Sequence, residues 1–250
     1  MEHFWTHPDN IAEGLGFGQF SLTHILYILL SVLLIAFIIR RYKSADDDSR
    51  LMIRKAIAVS LLTLEAVKMI VMCVTEVKAS NNLPLEICSF AEYTIVLDAF
   101  LKDNKVLRKI LLYLFLPAAI MSLIFPTTHI IPAFSFFALH QFIFHALIAA
   151  YALMRFAAKE VEMDYQGVWK SILAISIIVA FVYVIDYVFN RNFMFLMDTY
   201  NNFMLNIIWN LTGGGVMYDL GLVCFSIIVV HIFYFIFAAI NRLFMTKSAN

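Results

Sequence analysis

The sequence predicts an all-α integral membrane protein, built as a bundle of seven transmembrane helices with its N-terminus outside and its C-terminus inside. Hydrophobic residues make up 62% of the 250 residues and charged residues only 14%, whereas soluble domains are roughly half apolar and a quarter charged. The apolar residues fall into seven runs long enough to cross a bilayer. Basic residues alternate between the connections, which favours one orientation.

The seven runs predict that residues 1–250 form a single transmembrane domain. The third run is the shortest and the most polar, so a re-entrant or partly buried helix is the alternative at that position. The predicted spans are residues 22–39, 52–75, 85–101, 107–125, 133–154, 168–189 and 219–240.

The connections indicate which end of each span faces the cytoplasm. Most of the 18 Lys and Arg residues lie in the first, third and fifth connections and in the C-terminal tail. Cytoplasmic connections collect basic residues, so these connections are expected inside. The sixth connection, residues 190–218, mixes apolar stretches with asparagines and predicts one or two short helices at the outer surface. Three consecutive glycines at residues 213–215 predict a chain break before the seventh span.

Composition also narrows the function. The formal net charge is zero, so no basic surface for nucleic acid is indicated. The three cysteines are widely spaced within apolar runs, which predicts neither a disulfide framework nor a metal site, and no cofactor is expected. Membrane lipids are the expected partners of a chain with this composition.

Ionisable residues inside the predicted spans mark candidate functional positions, because they are costly to place in a bilayer. Most of them fall in the outer half of the bilayer, when depth is counted at about 1.5 Å per helical residue. The sequence therefore predicts one polar cavity that opens toward the outer leaflet. Its candidate residues are His24, Glu65, Lys68, Cys88, Glu92, His140, Asp186 and Asn192.

The stretch around Cys88 suggests nucleophilic chemistry. Cys88 is expected one turn into the third span, where a helix N-terminus stabilises a thiolate. A nucleophilic cysteine needs a base at hydrogen-bond distance; His140 has a compatible depth, and His24 is the second candidate. His145, five residues after His140, is turned away by about 140° and is expected to face elsewhere. The chemistry predicted is acyl transfer, with thiolate attack on a lipid ester and an imidazole acting as base and then as acid.

The remaining candidates have supporting roles in this interpretation. Glu92 continues the Cys88 face of its helix, and Glu65 and Lys68, three residues apart, are able to pair. The other two candidates in the outer half, Asp186 and Asn192, would orient the imidazole or hold a headgroup.

Other interpretations of the same residues remain open. In a non-enzymatic bundle that binds or moves a lipid or a small solute, Glu65, Lys68 and Glu92 would be the working ionisable groups. In a purely structural membrane protein, Cys88 would be a packed thiol and His140 would form a hydrogen bond between helices.

Several sequence elements occur in an order that resembles a known family. They are FGQFSLTH at residues 17–24, LPLEICS at 83–89, FP at 125–126 with FALH at 137–140, and DYVFNRNFMFL at 186–196. Together they resemble the bacterial YwaF family of seven-helix membrane proteins, which is related to the animal transmembrane protein 164 family. The resemblance covers nearly the whole chain and implies a multi-pass protein of the bacterial cell membrane.

The resemblance also bears on the activity. The animal branch is associated with phospholipid acyl transfer through a Cys–His pair, and by analogy the resemblance implies that role for Cys88 and His140. The chain departs from the family pattern at Glu86, where the family often has histidine, and at Asp186, where it often has asparagine.

Overall fold

The computed structural model describes residues 3–75, 83–101, 104–200 and 202–247, and these residues form helices and turns without any strand. A π-helical segment (Leu111–Phe115) joins two of the helices into one longer segment. The α-helices are α1 (Leu22–Lys43), α2 (Asp47–Val74), α3 (Ile87–Phe100), α4 (Lys105–Ile110), α5 (Leu116–Ile124), α6 (Phe136–Ala157), α7 (Gln166–Phe189), α8 (Phe203–Thr212) and α9 (Gly215–Lys247).

Six helical segments within the described residues are long and apolar enough to cross a membrane, namely α1, α2, the segment that contains α4 and α5, α6, α7 and α9. Six of the predicted spans are therefore confirmed as helices, with ends that differ by several residues. The predicted third span, residues 85–101, is instead the 14-residue helix α3. Its length of about 21 Å is less than the hydrocarbon thickness of about 30 Å.

Contacts between the helix termini define two ends of the bundle. At the upper end, Glu86 at the start of α3 accepts a hydrogen bond from the backbone N–H of Met194, which follows α7 (2.9 Å). At the lower end, the hydroxyl of Tyr42 near the end of α1 donates to Glu160, which follows α6 (2.9 Å to Oε2). Helices that are consecutive in the chain therefore run in alternating directions between these two ends.

A buried ion cluster joins α3 and α6 near the lower end. Asp98 accepts a hydrogen bond from the Tyr151 hydroxyl (2.7 Å) and lies 3.6 Å from Nη1 of Arg155. Nε of Arg155 lies 2.9 Å from Oε2 of Glu160. Asp98 and Arg155 are only 4% and 3% exposed. Asp98 also lies 3.8 Å from Nε of Arg108, so each of these two buried charges has two partners of opposite sign.

A second ion pair at the lower end holds α4 against the start of α7. The ammonium of Lys109 contacts the carboxylate of Asp164, which also accepts a hydrogen bond from the N–H of Gly167 (2.9 Å). Partial burial by itself would raise the pKa of Asp164, but the bonds from Lys109 and Gly167 outweigh it and hold that pKa below its ordinary value. Asp164 is therefore ionised at neutral pH and anchors the connection between α6 and α7.

Helix α6 lies at the centre of the bundle. In the most apolar 18-residue stretch of α6, 67% of the residues are buried, whereas the corresponding stretches of α1 and α9 are each 11% buried. A helix that is surrounded in this way presents polar side chains to neighbouring helices rather than to lipid. The histidines of α6 therefore face protein on whichever side of the helix they lie.

The π-helical segment is fully buried, and Pro117 follows it at the start of α5. Proline has no N–H to donate to the helix, and π-helical turns occur frequently at functional sites. This irregular segment contributes Leu114 and Pro117 to the wall of the cavity described below.

The predicted short helices between residues 190 and 218 are confirmed, apart from Asn201, which lies outside the described residues. They are a 3-10 turn, Phe193–Phe195, and the helix α8. The predicted glycine break is also confirmed, since α8 ends at Gly213 with a φ of 80°, a conformation that glycine adopts without strain.

Candidate functional site

A cavity of about 410 Å³ lies between α5, α6, α7 and α9, and the chain that follows α7 covers its upper end. This volume is within the range of small-molecule sites. Most of the wall is apolar, but a group of polar side chains also lines it: Glu86, Cys88, Ser122, Thr127, Gln141, His145, Asn202 and Ser226. The cavity therefore combines reactive and hydrogen-bonding groups with long apolar surfaces.

Cys88 reaches this cavity from the first turn of α3. Glu86 is the N-cap residue of that helix, so Cys88 lies where the helix dipole favours a negative sulfur. Its thiol is free and half-buried. Among the predicted site residues, Cys88 lines the cavity.

His145 lines the same cavity, and the expectation that it faces elsewhere is wrong. Its Nδ1 lies 2.7 Å from the carbonyl oxygen of Gln141. A carbonyl oxygen only accepts, so Nδ1 carries the proton and Nε2 of the neutral ring is the basic nitrogen. Nε2 has no hydrogen-bond partner among the described residues. His145 therefore lines the cavity as a neutral ring whose Nε2 is able to accept a proton.

His140 belongs to a different group of side chains. Its Nε2 lies 3.9 Å from Oε2 of Glu65, on α2, and its ring stacks on Phe144 with centroids 5.0 Å apart. Oε1 of Glu65 lies 2.7 Å from Nζ of Lys68, which confirms the predicted pair. His140 is not among the described residues that line the cavity, whereas Cys88 and His145 both line it.

His140 and His145 contact different neighbours, and it is His145 rather than His140 that lines the cavity with Cys88. The α2 helix packs against α6 and supplies the partner of His140, whereas α5 packs elsewhere on α6 and forms the cavity wall near His145. The positions of α2 and α5 around α6 depend on the tertiary packing, which the spacing of residues within α6 does not predict.

Glu92 is fully buried on α3, and neither of its carboxylate oxygens has a hydrogen-bond partner among the described residues. It lies within electrostatic range of Glu65 and Lys68. Lys68 also lies within electrostatic range of Cys88. Glu65, Lys68, Glu92 and His140 therefore form a polar cluster, the intramembrane cluster, beside the cavity.

His24 is a structural residue in this fold. Its Nδ1 accepts from the N–H of Phe20 (2.9 Å), and its Nε2 donates to the carbonyl of Leu123 (3.0 Å). Both ring nitrogens are thus occupied by backbone groups, and the side chain is fully buried. These bonds tie the start of α1 to the end of α5 and leave no nitrogen for a base.

Asp186 and Asn192 shape the chain that covers the cavity. Asp186 accepts from the N–H of Phe193 (2.9 Å), while the Asn192 side chain accepts from the N–H groups of Met197 and Asp198 (2.7 and 3.0 Å). Their observed contacts are with the backbone of this connection.

The cover of the cavity also contains strained backbone. Met194 and Phe195 have φ angles of 55° and 61°, which are unusual for residues other than glycine. Both residues line the cavity, and the Glu86 carboxylate holds the Met194 N–H in place. Sequence reasoning placed His145 away from the cavity, and it did not identify this use of Glu86. The four-residue spacing of Gln141 and His145, which puts them on one helix face, was the available signal.

The helices, the buried ionisable groups and the enclosed amphipathic cavity define a polytopic helical membrane protein. A family model, the TMEM164 family, matches residues 19–237. The chain belongs to the TMEM164 family, which confirms the relationship that the sequence elements indicated. No curated protein and no solved structure matches the chain.

Proposed function

We propose that the protein is an intramembrane acyltransferase that moves an acyl chain from one membrane lipid to an acceptor. Cys88 is the nucleophile and His145 is the base. The observation that carries the proposal is that this thiol and this imidazole line one amphipathic cavity. A carbonyl carbon is able to meet the polar side chains there while its hydrocarbon lies along the apolar wall.

The reaction proceeds in two halves. The sulfur of Cys88 attacks the ester carbonyl of a phospholipid while Nε2 of His145 accepts the thiol proton. The tetrahedral intermediate then breaks its C–O bond, and the imidazolium protonates the leaving alkoxide, which gives a thioester and a lysolipid. An acceptor hydroxyl next attacks the thioester and gives its proton to Nε2. The C–S bond breaks, and the sulfur recovers a proton from the imidazolium.

In the proposal the intramembrane cluster sets the charges around the nucleophile. Lys68, Glu65 and Glu86 all lie within electrostatic range of Cys88, and Lys68 is the cation that would stabilise the thiolate. His140 has a supporting role through Glu65, which pairs with Lys68.

We also propose that α3 is a seventh membrane-embedded helix, with the N-terminus of the chain outside and the C-terminus inside. In support, α3 connects the Glu86–Met194 contact at the upper end to the Asp98–Arg155 pair at the lower end. Its exposed side chains, such as Leu97 and Phe100, are apolar. The basic connections lie at the lower end, which places that end in the cytoplasm. The expected location is the bacterial cell membrane.

The test is acyl capture by the purified protein in nanodiscs of mixed phospholipids. Mass spectrometry of the Cys88 peptide should show an acyl adduct, and lysolipid should accumulate. Cys88→Ala should abolish both products, whereas Cys73→Ala and Cys224→Ala, which change exposed thiols, should leave them. His145→Gln should slow acylation by about 10²-fold or more, which is typical for loss of a general base.

His140→Gln is the matched control for the base. It should change the rate of acylation much less than His145→Gln does. The reverse order of these two effects would assign the base to His140. The absence of both adduct and lysolipid in the folded protein would exclude acyl transfer from these lipids.

One observation favours a second candidate function, the binding or movement of a small solute coupled to protons. The Glu92 carboxylate is fully buried without a hydrogen-bond partner among the described residues, and unpaired carboxylates inside membranes commonly carry protons or ions. In proteoliposomes that contain a pH-sensitive dye, this candidate predicts proton movement that Glu92→Gln abolishes. An equal proton flux in the wild-type protein and the Glu92→Gln variant would exclude this second candidate function.

A further inference from the structure

The lower part of the cavity differs from the part near Cys88. Its wall is formed by Leu114, Ile175, Val179, Leu222, Val229 and Val230. Ser226 is the polar residue of α9 on this wall, and its hydroxyl donates to the carbonyl of Leu222 (2.9 Å). That bond satisfies its donor within its own helix. The lower wall therefore presents an apolar surface to whatever occupies it.

The depth of the cavity follows from the helices that form it. Ile175 lies about 21 Å below the upper end of α7 at Phe189, and Val230 lies about 22 Å below the start of α9, at about 1.5 Å per residue. Cys88 lies in the first turn of α3. Ile175 and Val230 are the deepest residues of α7 and α9 that line the cavity, which therefore reaches about 20 Å below the upper ends of these two helices. One leaflet of a bilayer is about 15 Å thick, which is the length that a lipid acyl chain spans.

The lower end of the cavity is lined by side chains of the hydrophobic core. Ile175 and Val230 are each 1% exposed and belong to the main hydrophobic core. A chain that entered from the Cys88 end would therefore meet these two side chains and stop. A polar solute would find few hydrogen-bond partners along the lower wall, where Ser226 is the polar side chain of α9, and burial without such partners is costly.

We propose that the lower cavity is a binding channel for one linear acyl chain, and that Ile175 and Val230 set the longest chain accepted. This proposal rests on the proposed acyl transfer, because it places the carbonyl carbon at Cys88 and the terminal methyl group at the channel floor. The channel holds the acyl chain by apolar contact. The length of the channel therefore limits which acyl chains bind more than the chemistry of its wall does. Ile175 and Val230 are thus specificity-determining residues for the reaction.

The first experiment locates the chain without requiring catalysis. The Cys88→Ala protein is placed in nanodiscs with a phosphatidylethanolamine that carries a photoreactive diazirine at the end of one acyl chain. After irradiation, cross-links should concentrate in the peptides that contain Ile175 or Val230. A diazirine beside the carbonyl should instead mark α3 and α6. Terminal cross-links confined to the exposed face of α7, at Trp169 and Ile177, would overturn the channel.

The second experiment changes the floor and reads the acyl chain captured on Cys88 from an equimolar mixture of chain lengths. Val230→Phe should shift the ratio of long to short chains toward short ones by about tenfold or more, since one methylene in an apolar pocket is worth about 10-fold or more in specificity. Val230→Ala should shift it the other way. Ile228→Phe and Ile177→Phe, on exposed faces of the same helices (56% and 60% exposed), should leave the ratio unchanged.

The outcomes separate the two proposals. Capture on Cys88 with an unchanged chain profile in both Val230 variants would overturn the channel and leave acyl transfer standing. Cross-links at the floor without any capture on Cys88 would support the channel and remove the acyl-transfer proposal.

Discussion

The ring nitrogens of the histidines separate structural from reactive positions. His24 uses both nitrogens to bind backbone groups. His231 donates from Nδ1 to the carbonyl of Ile227 and accepts from the Tyr165 hydroxyl at Nε2 (2.7 and 2.8 Å), which gives that residue a structural role between α9 and the start of α7. His145 uses only Nδ1 among the described contacts. An imidazole acts as a base through an uncommitted nitrogen, and His145 has one on the cavity wall.

At this scale we predict that His24→Ala destabilises the fold. The substitution leaves the N–H of Phe20 and the carbonyl of Leu123 without their partner, and a buried polar group left unpaired costs about 1–3 kcal/mol. The melting temperature of the detergent-solubilised protein should fall clearly. Leu22→Ala, at a side chain that is 74% exposed, is the matched control and should have little effect. A His24→Ala protein with the same melting temperature as the wild type would show that these two hydrogen bonds do not support the fold.

At the scale of the element, α3 carries polar side chains on its buried face. Ser89, Glu92 and Asp98 point into the bundle, whereas Leu97 and Phe100 are exposed. This is the reverse of the pattern of a soluble helix. The helix is short because residues 83–86 at its upper end are extended or turned, and α3 joins the cavity to the lower ion cluster.

We predict that Asp98→Leu destabilises the protein more than a change of both partners does. The single change removes one of the two carboxylates beside the buried Arg155 guanidinium, which keeps Glu160, and it also removes the carboxylate beside Arg108. Breaking a buried pair costs up to about 3–5 kcal/mol. The double change Asp98→Leu with Arg155→Met removes both charges and should recover part of that loss, as measured by chemical denaturation in detergent. Asp9→Leu, where the carboxylate is 83% exposed, serves as the control. A double variant less stable than Asp98→Leu would contradict this account.

Local sequence spacing predicts some of the site and cannot predict the rest. The three-residue separation of Glu65 and Lys68 predicts their pair, because positions three apart on a helix are neighbours. The separation of His140 and His145 predicts that they face different ways. It does not predict which of them meets Cys88, because that depends on where α2 and α5 pack around α6.

The same limit applies to the chain that covers the cavity. Asp186 and Asn192 were predicted as binding groups from their depth and residue type. In the structure they contact backbone N–H groups next to residues with positive φ, such as Met194. Nothing in the sequence marks those conformations, since Met194 and Phe195 are not residues that favour them.

At the scale of the whole molecule, hydrophobic runs predict the six long helices, and the alternating directions follow from their short connections. The mixed polarity of α3 led to a predicted span longer than the observed helix. The proposed orientation in the membrane rests on the distribution of basic residues, because Lys and Arg are retained on the cytoplasmic side.

This orientation predicts which residues are reached from outside the cell. In a protein without the native cysteines, a single cysteine at Glu13→Cys, exposed near the upper end, should react with a membrane-impermeant maleimide on intact cells. A cysteine at Asp47→Cys, exposed at the lower end, should react only after permeabilisation. Labelling of the second site alone in intact cells would mean that the protein is inserted the other way round.

The π-helical segment limits the insertions and deletions that related proteins can accept at this position. A π-helical turn holds one residue more than an α-helical turn, so the residues after Leu111–Phe115 are rotated by about 100° from where an uninterrupted α-helix would place them. Pro117 faces the cavity with that rotation, while Lys109 before the segment keeps its contact with Asp164. Loss of a single residue within the segment would put its two halves out of phase. Related chains that share this cavity should therefore keep the number of residues here, even where the residues themselves differ.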